Sequence, residues 1–104
     1  MRHPDFPEVR LVGAHFRGTE AVEYASALQG GEIFSLEREP ENPYDQNAIK
    51  VVTPGGLHLA YVERGQAAWI SGHMDEGATY RAHILRAEPY KNTVHIIADI
   101  RADA

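Results

Sequence analysis

Hydrophobic and polar residues alternate along most of this chain, in short runs separated by turn-forming residues. The runs are rich in Val, Ile, Leu and aromatic side chains, a pattern typical of half-buried β-strands. They predict six strands, over residues 9–16, 32–38, 48–53, 57–62, 80–87 and 93–100. The protein is therefore predicted to be mostly β, with short tails at residues 1–7 and after residue 100.

Turn-forming residues indicate which strands are neighbours. Pro54, Gly55 and Gly56 separate the third strand from the fourth and supply the positive φ angles of a tight hairpin. Residues 88–92, which include Pro89 and Asn92, separate the last two strands in the same way. Both pairs are predicted to be antiparallel hairpins.

Two Ala-rich segments, residues 19–28 and 65–74, interrupt the β pattern, and glycine follows each of them closely. They predict two short helices. In the second helix Ala67, Ile70 and Met74 form one apolar stripe that is expected to pack in the core, and Trp69 is assigned to the core as well.

The predicted elements favour one architecture. Six short strands with two short helices fit a small OB-like β-barrel, because barrel closure removes exposed strand edges. The alternative is an α+β sandwich. We expect a single domain over residues 1–104, with a core at about residues 8–100 and short tails.

Composition narrows the class of protein. Hydrophobic residues make up 43% of the chain and charged residues 24%, which is typical of a globular domain. The chain has no cysteine, which excludes disulfides and thiolate chemistry. No segment has the pattern of a secretory signal or a membrane span, so we expect a cytoplasmic protein that does not bind membranes.

Motifs for catalysis and for metal binding are missing from the sequence. The serines lack the G-x-S-x-G turn, and no glycine-rich segment has the pattern of a phosphate loop, so we expect no enzyme activity. No pair of histidines has a familiar ligand spacing, so we expect neither a metal nor another cofactor. His83 and His95 lie on the two strands of the last hairpin and are candidate cross-strand neighbours.

The charge balance restricts how nucleic acid could be bound. Fifteen acidic residues against ten basic ones give a net charge of −5. This charge argues against a broad basic face, so any DNA binding must be local.

The loop between the second and third strands carries the densest set of candidate functional residues. Pro40 and Pro43 stiffen its backbone, and Tyr44 is expected at its tip. In one interpretation Asp45 and Asn47 are turn caps and Tyr44 is a lid over the barrel end. In the other, Tyr44 stacks on a base while Asn42 and Asp45 hydrogen-bond to a nucleotide. A carboxylate there repels an internal phosphate but can accept a hydrogen bond from a free terminal hydroxyl.

Residues 38–49, Arg-Glu-Pro-Glu-Asn-Pro-Tyr-Asp-Gln-Asn-Ala-Ile, closely resemble the signature of the HIRAN domain, a module carried by helicase-like DNA translocases. The resemblance extends over about residues 8–100 through Val12-Gly13, Gly30-Gly31-Glu32 and Leu59-Ala60-Tyr61-Val62. It implies an OB-like barrel that captures the 3′-hydroxyl end of single-stranded DNA, in DNA repair or the processing of replication forks.

The resemblance also implies a role for individual residues. Tyr44 would stack on the terminal base, Asp45 would accept from the 3′ hydroxyl, and Asn42 would help to hold the terminal nucleotide. A basic and aromatic element of the family corresponds to His15, Phe16 and Arg17, where a family member has an arginine and two tyrosines. Arg64 corresponds to a phosphate contact, and Arg17 and Lys50 are weaker candidates for one. Tyr90 is a candidate for a further aromatic in the groove.

Three functions stay open from the sequence. The first is a binding module for single-stranded DNA 3′ ends, favoured as a monomer, with a separate helicase or nuclease as a candidate partner. The second is a protein-interaction or regulatory module that uses an acidic barrel face, which the net charge favours. The third, ranked last, is an enzyme acting on DNA ends, which would need a metal held by Asp45 with Glu39 or Glu41.

Overall fold

Every strand of this protein is hydrogen-bonded to a neighbour on both sides in the computed structural model, which describes residues 2–103. The six strands form a closed antiparallel barrel in the order β1-β4-β3-β2-β5-β6. They are β1 (Phe6–Val12), β2 (Ile33–Arg38), β3 (Ile49–Val52), β4 (His58–Val62), β5 (Tyr80–Tyr90) and β6 (Thr93–Ala102). The prediction of a small mostly β barrel is confirmed, and the sandwich alternative is wrong.

Strand β1 closes the barrel. Leu11 is the register partner of Val62 in β4 on one side and of Ile96 in β6 on the other. Strand β1 is therefore paired on both sides and joins the two ends of the sheet.

The barrel interior holds one continuous apolar core. Each strand directs alternate side chains inward, among them the fully buried Leu11, Ile49, Leu59, Ile84, Ile96 and Ile100. Helix α1 (Thr19–Ser26) adds Ala21 and Ala25, and helix α2 (Arg64–Asp75) adds Ala67 and Ile70. The predicted apolar stripe of the second helix is confirmed, with Met74 half-buried against the core.

The first strand lies earlier in the chain than predicted. It begins at Phe6, inside the segment assigned to a tail, and ends at Val12. Gly13 then takes a φ of 83°, and residues Ala14–Arg17 form a 3₁₀ helix instead of continuing the strand. The alternation is hard to read because the pairing of β1 with β6 shifts register between Phe6 and Val9.

Both predicted hairpins are confirmed, but the second is longer than expected. Strand β5 continues to Tyr90, so the turn consists of Lys91 and Asn92 alone. A β-bulge between Ile84 and Arg86 shifts the register of β5 against β6. His95 is consequently opposite Glu88, and His83 is opposite Asp99. The sequence had suggested that the two histidines are cross-strand neighbours, and the structure shows that they are not.

The assignment of Trp69 to the core is wrong. Its side chain is 74% exposed on the outer face of α2, although the adjacent Ile70 is fully buried. Successive residues of a helix point about 100° apart, so a narrow buried stripe excludes the neighbour of each member.

Among residues 2–103, no helix combines the length and the apolar character that crossing a bilayer would require.

Two adjacent glycines lie between α1 and β2, and the backbone of β5 passes close to the first of them. Gly30 and Gly31 both have positive φ, at 108° and 95°. A Cβ atom on Gly30 would lie 2.8 Å from the backbone oxygen of Leu85, in the bulge of β5, whereas one on Gly31 would meet nothing within 4 Å. We expect Gly30→Ala to lower the free energy of unfolding by about 1–3 kcal/mol more than Gly31→Ala. Urea denaturation of both variants measures the difference, and equal losses would contradict the close approach.

Candidate nucleic-acid interface

The loop at residues 39–48 is fixed to the barrel at its base. The amide of Glu39 donates to the carbonyl oxygen of Ala48 at 2.9 Å, and Arg38 donates to the same oxygen at 2.9 Å. The Arg38 guanidinium also forms an ion pair with Asp75 at the end of α2, at 3.0 Å. The arginine side chain is only 14% exposed, so this pair joins the loop base to the helix.

Glu39 fastens the body of the loop to the outer wall of the barrel. The hydroxyl of Tyr61 in β4 donates to Glu39 Oε1 at 2.6 Å, and Asn42 Nδ2 donates to the same oxygen at 3.1 Å. The bond from Tyr61, aided by the one from Asn42, holds the pKa of Glu39 below its ordinary value although burial opposes the shift. Glu39 is therefore ionised at neutral pH and serves as an acceptor for both donors.

The tip of the loop is organised by its own polar side chains. Asn42 Oδ1 accepts from the amides of Tyr44 and Asp45, at 2.9 and 3.2 Å, and Asp45 Oδ1 accepts from the amide of Asn47 at 2.9 Å. The turn-cap interpretation therefore holds for Asp45, whereas Asn47 supplies the amide that is capped, and Asn42 is a second cap that this interpretation did not name. Each keeps some hydrogen-bonding capacity, because Asn42 Nδ2 has a second N–H and Asp45 has a second oxygen.

Tyr44 does not cover the barrel end. Its side chain is 87% exposed, so the lid interpretation is wrong. Arg64, the first residue of α2, lies beside it: the guanidinium is 3.9 Å from Asp45 Oδ2 and 3.5 Å from the carbonyl oxygen of Tyr44. The loop tip thus brings together an exposed aromatic ring, an exposed guanidinium and a half-buried carboxylate.

The 3₁₀ helix forms a second part of this face. It contacts both β4 and β6, and Phe16 within it is 79% exposed. The ring of His15 lies 3.9 Å from the ring of Phe16, centre to centre. Arg17 lies close enough to β4 for its charge to act on His58: burial lowers the pKa of His58, and the charge of Arg17 lowers it further. His58 is accordingly neutral at pH 7.

Tyr61 and Lys50 occupy the wall between the 3₁₀ helix and the loop. They are register partners across β3 and β4, and both are half-buried on the outer face. Lys50 also lies 3.6 Å from Glu37 of β2. The structure thus gathers most of the predicted site residues on one face around Tyr61: Arg17, Asn42, Tyr44, Asp45, Lys50 and Arg64.

His15 lies close enough to the β5–β6 hairpin for its charge to act on His95. Burial lowers the pKa of His95 in β6, and the charges of Arg10 and His15 contribute to that shift. The His95 ring stacks on Tyr90 at 4.2 Å with a 16° angle between the planes, and Lys91 Nζ lies 5.4 Å from the centre of the Tyr90 ring. The hairpin therefore adds a third exposed aromatic group, after Tyr44 and Phe16. The sequence suggested Tyr90 as its member but not His95.

Sequence reasoning missed two positioning residues, Glu39 as an anchor of the loop and Tyr61 as its partner. The two lie 22 positions apart, and no local pattern pairs them. The one available signal was that Tyr61 is a polar-tipped residue on the outward side of an otherwise buried strand.

Comparison with known proteins identifies related chains. The family model of the HIRAN domain matches residues 8–99. The helicase-like transcription factor of Mus musculus is 40% identical over 52 residues, and that of Homo sapiens is 35% identical over the same length. Each alignment covers 50% of this chain and 5% of the relative, so this chain matches only a small part of these much longer curated proteins.

Solved structures share the fold. A crystal structure of a protein from Lactobacillus plantarum superimposes with a TM-score of 0.75 at 25% identity, covering 93% of this chain and 95% of that one. The crystal structure of the HIRAN domain of human HLTF gives a TM-score of 0.72 at 21% identity, covering 94% of this chain and 74% of that one. The same six-stranded barrel is therefore present in proteins of low sequence identity.

We predict that Tyr61→Phe raises the pKa of Glu39 towards its ordinary value and lowers the free energy of unfolding by about 1 kcal/mol at neutral pH. The pKa of Glu39 is lower in the folded state than its ordinary value of 4.5. The contribution of the ionised carboxylate to the free energy of unfolding is therefore complete above pH 4.5, and it is lost as the pH falls through the folded-state pKa. The difference from the wild type should therefore shrink in acid. NMR titration of the Glu39 carboxyl and urea denaturation at several pH values measure both effects.

Tyr24→Phe is the matched control, since the Tyr24 hydroxyl has no hydrogen bond within the described chain, residues 2–103. It should leave the pKa of Glu39 unchanged. If the pKa of Glu39 in Tyr61→Phe equals that in the wild type, the Tyr61 hydroxyl does not hold the loop.

Proposed function

This chain belongs to the HIRAN domain family, and from that membership we propose that it is a DNA-binding module that holds single-stranded DNA at a free 3′-hydroxyl end. The observation that carries the proposal is the loop tip, where the 87% exposed Tyr44 stands on a hydrogen-bonded turn beside Asp45 and Arg64. We propose that residues 1–104 form one such domain, which binds without a chemical step of its own.

Aromatic stacking would supply most of the binding free energy. A base stacked on an aromatic side chain contributes about 1–3 kcal/mol. Tyr44 is suited to this because its backbone amide is already bonded to Asn42, so little loop ordering is needed on binding. Phe16, 79% exposed on the 3₁₀ helix, is the candidate for a second base.

Asp45 would supply the preference for a strand end. Its Oδ1 is occupied by the amide of Asn47, while Oδ2 lies on the side of Arg64. A free 3′ hydroxyl can donate to this carboxylate, whereas a terminal phosphate at the same place would be repelled. The second N–H of Asn42 is placed to donate to the sugar or base of the same nucleotide.

Three cations would contact the phosphates. Arg64, Lys50 and Arg17 lie along the face that includes Tyr61. For single strands the salt dependence of binding rises by about 0.7 logarithmic units per phosphate contact. Two or three contacts give a shallow salt slope and modest affinity, which agrees with a chain of net charge −5.

A motor or nuclease activity would have to come from another polypeptide, and we propose a separate cytoplasmic helicase or nuclease of DNA repair or replication-fork processing as the partner. The enzyme alternative has little support in the part of the chain that the structure describes. There Asp45, Glu39 and Glu41 do not gather as a three-ligand metal group. Asp45 faces Arg64 instead, and Glu39 is engaged by Tyr61.

The end preference can be measured by fluorescence anisotropy with two short single strands that differ only at the 3′ terminus. We expect the 3′-hydroxyl strand to bind about tenfold or more tightly than its 3′-phosphorylated twin, because like charges a few ångströms apart cost several kcal/mol at an effective dielectric constant of about 20. Asp45→Asn should reduce this ratio towards one. Equal binding of both strands by the wild type would rule out end capture. No binding at all would favour a protein-interaction module, for which the exposed Trp69 is the first residue to examine.

The role of the loop aromatic can be tested against a second exposed aromatic outside the face. Tyr44→Ala should weaken binding of the 3′-hydroxyl strand by about 1–3 kcal/mol, or roughly 5- to 150-fold. Trp69→Ala removes a ring of similar exposure, at 74%, from the outer side of α2 and should leave the affinity unchanged. Circular dichroism checks that both variants are folded. Unchanged affinity in folded Tyr44→Ala would remove the stacking role of Tyr44.

A further inference from the structure

Three side chains that no part of the DNA-binding proposal uses meet at the far end of α2. The Nδ1 atoms of His3 and His73 are 3.0 Å apart, and His73 Nδ1 is 3.9 Å from Glu76 Oε1. One ligand atom from each of the three lies within 4.8 Å of the others, and no other group of this kind occurs within residues 2–103.

Two of the three come from one face of the helix end. His73 belongs to the last turn of α2, and Glu76 is the residue that caps it, at the i,i+3 spacing that places side chains on the same side. The helix backbone therefore fixes the relative position of His73 and Glu76, independently of where His3 lies.

His3 is brought to the pair by hydrogen bonds on the residues that follow it. The Tyr80 hydroxyl donates to the carbonyl oxygen of Pro4 at 2.7 Å, and the amide of Ala102 donates to Asp5 Oδ1 at 2.8 Å. The segment before β1 is thus attached to β5 and β6 at two successive residues. The position of His3 therefore does not depend on its own contact with His73.

The rings are also oriented by packing. His3 meets His73 edge to face at 5.2 Å, and the Phe6 ring lies 5.8 Å from His73 on another side. Both histidines are half-buried, while Glu76 is exposed. Each imidazole directs its Nδ1 atom to the same point, and the carboxylate reaches that point from solvent.

We propose that His3, His73 and Glu76 bind one Zn²⁺ ion, with water as the fourth ligand. Two imidazoles and one carboxylate form an established zinc ligand set, with bonds of about 2.0–2.2 Å. In a tetrahedron of that size the ligand atoms are roughly 3.3–3.5 Å apart, between the 3.0 and 3.9 Å of the two observed separations. Small side-chain rotations suffice to reach it.

The donor chemistry and the surroundings agree with this ion. Imidazole nitrogens favour borderline transition-metal ions over Mg²⁺ or Ca²⁺, which prefer oxygen ligands alone. His3 also lines an open cleft of about 800 Å³ together with Asp5, Thr79 and Asp103. Solvent therefore has access to the site and supplies the remaining ligand.

The ion would join the segment before β1 to the end of α2, away from the DNA face. His73 lies nine residues after Arg64, which at 1.5 Å per residue is roughly 13 Å along the helix. Zinc binding and DNA binding are thus separable, and failure of one proposal leaves the other standing.

Titration calorimetry of Zn²⁺ into the chelator-treated full chain tests the site. We expect one Zn²⁺ per chain and a higher melting temperature at saturating Zn²⁺. His3→Ala, His73→Ala and Glu76→Gln should each weaken Zn²⁺ binding by at least about tenfold, since even partners of ligands cost 10–100-fold. His83→Asn, on the outer face of β5, is the matched control and should bind Zn²⁺ as the wild type does.

His3→Ala guards against a folding artefact, because His3 lies outside every helix and strand. Bound Co²⁺ gives a second readout, since a tetrahedral site with imidazole ligands absorbs strongly in the visible range and the histidine variants should lose that band. Absence of Zn²⁺ binding by the wild type would overturn the proposal. So would undiminished binding by folded His3→Ala and His73→Ala.

Discussion

Strand β1 closes the barrel through pairs with both β4 and β6, and the position of the candidate DNA-binding face follows from where this strand ends. It stops at Val12, although β4 and β6 continue beyond the last paired residues, to His58 and Thr93. Gly13 provides the positive φ at which the chain turns, and the 3₁₀ helix then lies against β4 and β6. Phe16 and Arg17 are presented outside the barrel because β1 stops where it does.

The 39–48 loop depends on a different kind of interaction, a small set of hydrogen bonds accepted by the side chains of Glu39, Asn42 and Asp45. Glu39 accepts from the barrel wall, Asn42 accepts from two amides of the tip, and Asp45 accepts from a third. Two residues that shape the loop, Asn42 and Asp45, are therefore also the ones that we propose contact a nucleotide. Structural and functional interpretations of Asn42 and Asp45 are compatible, since each has hydrogen-bonding capacity left after capping the turn.

The sequence predicted the parts of this protein that local pattern determines. Alternation and turn glycines indicated the strands and both hairpins, and proline spacing singled out the loop. Trp69 was misplaced because helical periodicity gives the direction of a stripe but not its width. The register of His95 could not be read, since the bulge at residue 85 depends on contacts with another strand. Likewise His3 and His73 lie 70 positions apart and meet only through the closed barrel.

Net charge describes this molecule incompletely, because several of its carboxylates are placed where they accept hydrogen bonds from backbone amides. Glu32 accepts from the amides of Gln29 and Gly30, and Glu63 caps α2 through the amides of Gly65 and Gln66. These acids stabilise turns and helix ends, where amide dipoles favour negative charge. A DNA strand end experiences mainly the charges within about 8 Å at physiological salt. The cations around Tyr61 and Tyr44 therefore matter more to such a ligand than the sum over the chain.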